Sequence, residues 1–98
     1  MDTLTLVRCR IIELCAQRGF TVNGLAEHAG LSASTLKNIL YGKSKNPGIL
    51  TLKIICDGLD ITLSAFFDTP AFHALEQEIQ KRAYASTRMI WIVFRLCA

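Results

Sequence analysis

The sequence predicts an all-α protein of five core helices with a sixth appended, and three observations carry that expectation. Apolar residues recur at three- and four-residue steps through the first two thirds of the chain. No alternating apolar and polar run, the mark of a half-buried strand, occurs before residue 81. Gly, Ser, Thr and Pro stand where helices of that spacing must start or stop.

Taken in order, Leu4, Val7, Ile11, Leu14 and Cys15 form one stripe, so the spacing predicts a first helix over Thr3 to Arg18, ended by Gly19 as a left-handed cap. A short second helix follows Thr21, with Leu25, Ala26 and Ala29 inward and Gly30 stopping it. Ser32 is a good N-cap for a third helix over Ala33 to Tyr41, with Leu36, Ile39 and Leu40 inside and Gly42 closing it. Asn46-Pro47 sits in a polar turn that breaks one helix and opens another. The fourth helix runs from about Ile49 to Leu59 on Leu52, Ile55, Cys56 and Leu59. Thr62 caps a fifth through Phe67, and Pro70 starts a sixth over about 70–80 that lines up Phe72, Leu75 and Ile79.

A chain of 98 residues, 51% hydrophobic and 19% charged, holds one core and not two. Six Gly and two Pro exclude collagen-like and low-complexity classes. Four cysteines, Cys9, Cys15, Cys56 and Cys97, include no CxxC pair, and no secretory signal opens the chain, so reduced thiols in a cytoplasmic protein are expected. Met89 to Phe94 is too short an apolar run for the roughly 20 residues of a spanning helix, which argues against a membrane protein.

The formal charge of +3 conceals a segregation. Leu31 to Cys56 carries Lys37, Lys43, Lys45 and Lys53 and no acid; Asp57 to Gln80 carries Asp57, Asp60, Asp68, Glu76 and Glu78 and no Lys or Arg. The basic stretch coincides with the second noteworthy pattern. Two short helices joined by a Gly-containing turn that ends in an N-capping Ser make a helix-turn-helix over Leu25 to Ile39. On its second helix, Ser34, Lys37, Asn38 and Tyr41 form a polar stripe opposite the buried Leu36, Ile39 and Leu40, composed of side chains able to contact bases. Lys43, Ser44, Lys45 and Asn46 follow at once, where a loop beyond a groove-inserted helix meets phosphates. A merely solvated face with a lysine-rich loop does not account for the lack of acids in this stretch.

These residues make the chain similar to the Cro/CI-type (XRE family) regulators. The resemblance covers about Leu6 to Asp68: Leu25-Ala26, Gly30-Leu31-Ser32, Gly42-Lys43, Asn46-Pro47, and Cys56 to Ser64 leading into Phe66-Phe67. It implies a five-helix, lambda-repressor-like DNA-binding domain over residues 1–68, commonly dimeric, with the third helix in the major groove of double-stranded DNA. Residues 69–98 then form a C-terminal extension. Position by position, the resemblance puts Ala33, Ser34, Lys37 and Asn38 at the bases, and Thr21, Asn23, Tyr41, Lys43, Lys45 and Asn46 on the DNA backbone. An amide such as Asn38 can pair bidentately with adenine.

Three departures from the family pattern stand out. Val22 replaces a frequent Gln and cannot donate to a phosphate; Ala33 offers a thymine methyl only its own methyl. Many members pair an Arg near Cys15 with a Glu near Leu40, and here both are apolar, a swap of buried ions for apolar groups that is often neutral or stabilising.

Neither His28 nor His73 has ligands at metal spacing, and no nucleophile-base set, carboxylate pair or phosphate-binding glycine loop is present, so no metal, cofactor, small-molecule ligand or enzymatic activity is expected. The tail 81–98 ends in the strand-favouring Met89 to Phe94. Two readings stay open for it: a dimerisation element, or residues foreign to the domain. The function expected is a DNA-binding transcriptional regulator, a repressor acting as a homodimer whose third helices enter major grooves roughly 34 Å apart. The alternative is the same fold used as a protein-interaction module, an antitoxin or adaptor.

Overall fold

Helix starts in this chain are made by side chains that accept orphan backbone N–H groups. In the computed structural model, which describes residues 2–79, Asp2 accepts from the Thr5 amide at 2.8 Å and opens α1 (Thr3–Arg18). Thr21 accepts from Gly24 at 3.0 Å for α2 (Val22–Ala29), and Ser32 from Thr35 at 3.1 Å for α3 (Ala33–Tyr41). Thr62 and Thr69 do the same for α5 (Leu63–Phe67) and α6 (Pro70–His73). Only α4 (Ile49–Gly58) begins without a side-chain cap, at Gly48. All described residues outside these helices are turns or irregular chain, and none is strand.

Two glycines end helices in the left-handed region, where a Cβ is penalised: Gly19 and Gly30, both at φ 74°. The second of these is the turn of the helix-turn-helix. Asp60, at φ 56°, makes the corresponding turn between α4 and α5 without glycine, a conformation its short side chain tolerates.

The inner faces meet as the 3.6-residue spacing requires. Val7, Ile11, Leu14 and Cys15 of α1 pack with Leu25 and Ala26, with Leu36, Ile39 and Leu40, and with Leu52, Ile55, Cys56, Leu59 and Phe66. No polar or charged side chain is buried among the described residues, so the core is apolar throughout, and Cys15 and Leu40 are part of it. Burial pushes the Cys15 and Cys56 thiols above their ordinary pKa, whereas Cys9 is exposed.

One contact sets how closely the helix-turn-helix sits on its support. Gly58, buried on α4, faces Ala29 of α2 so tightly that a Cβ there would stand 2.8 Å from the Ala29 Cβ and 3.3 Å from the Leu25 methyl. In Gly58→Ala, overpacking costs about 1–3 kcal/mol and better helix propensity returns about 1 kcal/mol. The expected result is a lower urea midpoint, with net destabilisation of about 1 kcal/mol. A raised midpoint would show that α2 can step back without loss.

Arg10 ties α5 to α1. Its Nε donates to the Phe66 carbonyl at 2.9 Å and Nη2 to the Ala65 carbonyl at 3.2 Å, while Nη1 pairs with Glu13 at 2.7 Å. A cation on the last carbonyls of a helix meets both their unfilled acceptors and the negative end of the dipole. Phe66, Phe67 and Phe72 then stack edge-on or tilted, with centroids 4.9–6.2 Å apart, which anchors α6.

The sixth helix is shorter than its spacing predicts. It covers Pro70–His73 instead of about 70–80, and Ile79, expected on the same face as Phe72, is 78% exposed. Beyond Ala74 the chain runs back to the start of α1, where the Glu78 carboxylate accepts from the Thr3 hydroxyl at 2.6 Å and the Thr3 amide at 3.4 Å. An acid at a helix N-terminus is favourable, whereas Glu76 and Glu78 on the last turn of a longer α6 would face its negative end. The strand-like segment Met89 to Phe94 and the rest of 81–98 lie outside the described residues.

Candidate nucleic-acid interface

The turn between α2 and α3 is built by backbone, not by side chains. Gly30 and Leu31 donate back to Glu27 and Ala26 at 3.2 and 2.8 Å, and Ser32 at once caps the next helix. With Leu25, Ala26, Leu36, Ile39 and Leu40 buried, the orientation of both helices is set from below. What remains outside is decided by the same periodicity.

On α3 that outer face holds Ser34, Lys37, Asn38 and Tyr41, all exposed. Asn38 makes no side-chain hydrogen bond among the described residues, so both ends of its amide are open to a ligand. Gly42 lies directly against it: a Cβ at that position would stand 2.8 Å from the Asn38 Oδ1 and 2.9 Å from its Cα. Ser34 shares a hydroxyl contact with Ser32 at 3.2 Å, and Ser32 a shorter one with Thr35 at 2.6 Å. Ala33 is half-buried and packs on the core, as does Val22.

The positions expected on the backbone frame that stripe. Thr21 and Asn23 are exposed at the start of α2. The Thr21 oxygen already accepts the Gly24 amide, which leaves its hydroxyl proton free to donate. Past α3, Lys43, Lys45 and Asn46 are exposed on the loop. Lys45 and Asn46 also border an open groove of about 530 Å³ against the start of α1 and Phe67.

Lys37, Lys43 and Lys45 form no ion pair among the described residues; Lys53 does, with Asp57 one turn along α4. The basic stretch therefore presents three free cations, and its fourth is matched by the first acid of the neighbouring acidic segment. These three lysines and Asn38 lie on one helix and the loop that leaves it. The arrangement can neutralise phosphates and offer an amide to a base edge.

A residue the sequence pattern does not single out completes the site. Arg8, half-buried on α1, donates from Nε to the Ile39 carbonyl at 2.6 Å and from Nη2 to the Gly42 and Ser44 carbonyls, each at 3.3 Å. It caps α3 as Arg10 caps α5. The available signal is a long cation at the edge of the apolar stripe with no acid three or four residues on, unlike Arg10, which has Glu13.

Residues 10–71 match the sequence profile of the Cro/C1-type HTH DNA-binding domain. Over 60 residues the chain is 38% identical to the HTH-type transcriptional regulator SlrR of Bacillus subtilis (strain 168), covering 60% of this chain and 40% of that protein. The chain thus spans less than half the length of this relative. Among solved structures, the crystal structure of the prophage Lp1 protein 11 superposes with a TM-score of 0.66 at 36% identity, covering 76% of this chain and 100% of the other.

Proposed function

Because the chain belongs to the Cro/C1-type HTH DNA-binding family, we propose that it is a sequence-preferring transcriptional regulator that lays α3 in the major groove as a homodimer and represses by occupying a promoter. The observation that carries this reading is the exposed face of α3 and its following loop: an Asn38 amide and Lys37, Lys43 and Lys45 side chains without partners among the described residues, and no carboxylate from Leu31 to Cys56. Asn38, Lys37, Ser34 and the methyl of Ala33 face bases in this reading. Thr21, Asn23, Tyr41, Lys43, Lys45 and Asn46 hold the sugar-phosphate backbone and set register. With a single amide for bidentate readout and Ala33 contributing only apolar contact, discrimination between sequences is modest.

The test is a pair of binding curves, against random duplex and against a genomic fragment library, at two salt concentrations. Lys43 and Lys45 each neutralising one phosphate give a slope of log K against log salt of about −2 per protomer. A steep slope with a preferred fragment supports the regulator. No affinity at low salt overturns it and favours a protein-interaction module of the same fold. The mass of the DNA complex tests the dimer, and two half-sites one helical turn apart are expected.

A further inference from the structure

The geometry points to Arg8 as a positioning residue for DNA binding: it holds the loop that carries Lys43 and Lys45 in the conformation that meets the phosphate backbone. The inference rests on the DNA-binding reading and adds to it a residue that touches no DNA.

The loop after α3 has few other constraints. It leaves the helix at Gly42, whose backbone is not helical, and Lys43, Lys45 and Asn46 are exposed. Such a segment should sample many conformations, and each would cost ordering entropy when phosphates bind. Two sets of bonds remove that freedom. From the helix side, the Asn38 carbonyl accepts both the Gly42 amide at 3.1 Å and the Ser44 amide at 3.3 Å. From α1, the Arg8 guanidinium reaches the carbonyls of Gly42 and Ser44 and, through Nε, the Ile39 carbonyl. The residues on both sides of Lys43 are therefore bonded through N–H and C=O alike.

The guanidinium donates from two nitrogens of a rigid planar fork and so spans carbonyls of three different residues, whereas an ammonium gathers its three donors on one nitrogen at the end of a flexible stem. The bonds to Ile39 and Ser44 are half-buried and shielded from water competition, the one to Gly42 is exposed, and the charge lies at the negative end of α3. The same residue thus fixes the end of the helix carrying Asn38 and the first residues of the loop carrying the lysines.

Arg10 supplies the internal control. It makes the same kind of cap from the same helix, but onto Phe66 and Ala65 of α5, which carry none of the DNA-facing residues. Arg8→Lys, Arg8→Met and Arg10→Met are compared for thermal stability, affinity for random duplex at several salt concentrations, and amide hydrogen exchange.

Each phosphate contact changes log K by about 0.9 per decade of salt. Arg8→Met is therefore expected to bind about eightfold more weakly per lost contact at 0.1 M salt, with a slope shallower by about one. Arg8→Lys keeps the charge and is expected to lose most of the same affinity. Its Gly42 and Ser44 amides exchange at least tenfold faster while core amides such as Ile55 are unchanged. Arg10→Met should melt lower and bind as the unaltered protein does.

Wild-type affinity and salt slope in Arg8→Lys, or equal binding losses in Arg8→Met and Arg10→Met, overturn the proposal. If Arg8→Met does not fold, Arg8→Lys decides it. If the unaltered protein binds no DNA, the functional reading fails by itself, and unchanged exchange at Gly42 and Ser44 in Arg8→Lys separately refutes the clamp.

Discussion

Phe66→Ala is expected to lower stability by about 3–5 kcal/mol, the range for truncating a buried Phe. The side chain is fully buried, sits against both Phe67 and Phe72, and closes the core on the side of α5. Small domains have about 5–15 kcal/mol in total, and in one this size each kcal/mol moves the melting temperature by about 4–8 °C. The expected melt, followed by far-ultraviolet circular dichroism, is therefore at least about 12 °C lower. The half-buried Phe67 loses less surface on truncation, so Phe67→Ala should fall well short of that. A Phe66→Ala melt within a few degrees of the unaltered protein would mean that α5 collapses onto the vacancy and that Arg10 alone holds it.

Asn38→Ala acts on the other side of the molecule and on recognition instead of stability. The amide is exposed and has no partner among the described residues, so its loss leaves no buried group unsatisfied, and alanine is the better helix former. Folding stability should hold or rise slightly. At the preferred DNA site the cost is about 1–3 kcal/mol, roughly five- to 150-fold in affinity, with no loss on random duplex. Lys43→Ala is the comparison. It should weaken binding to both DNAs alike and make the salt slope shallower by about one. Equal losses on the two DNAs for Asn38→Ala would remove it as a base reader and move it among the backbone contacts.

The helix ends were legible in the sequence because the interactions that make them are local. Ser32, Thr21, Thr62 and the paired Gly19 and Gly30 act within about four residues, and a 3.6-residue stripe names its own buried face. The polar face of α3 was legible for the same reason, being what the stripe of Leu36, Ile39 and Leu40 leaves outside. Charge segregation was legible in part. The Lys53–Asp57 pair bridges the basic and acidic segments, so the free charge of the basic stretch is smaller than its composition.

Other features needed the chain to be folded. Arg8 and Arg10 are two residues apart, and nothing local says that one caps α3 and the other α5; their partners lie 31 to 56 residues away. α6 is shorter than its pattern suggests because Leu75 and Ile79 have helical spacing, yet the carboxylate of Glu78 is used 75 residues upstream at Thr3. Gly58 reads as an ordinary helical glycine until α2 is laid against it. By itself the sequence determined the helices α1 to α5, which face of each is buried, and hence which side chains a helix-turn-helix offers to DNA, since periodicity and capping operate over a single turn. The tertiary structure alone decided how closely α2 rests on α4, where the chain turns after His73, and which arginine holds the loop after α3. Those depend on carbonyls and methyl groups brought together from distant parts of the chain, whose proximity no local pattern encodes.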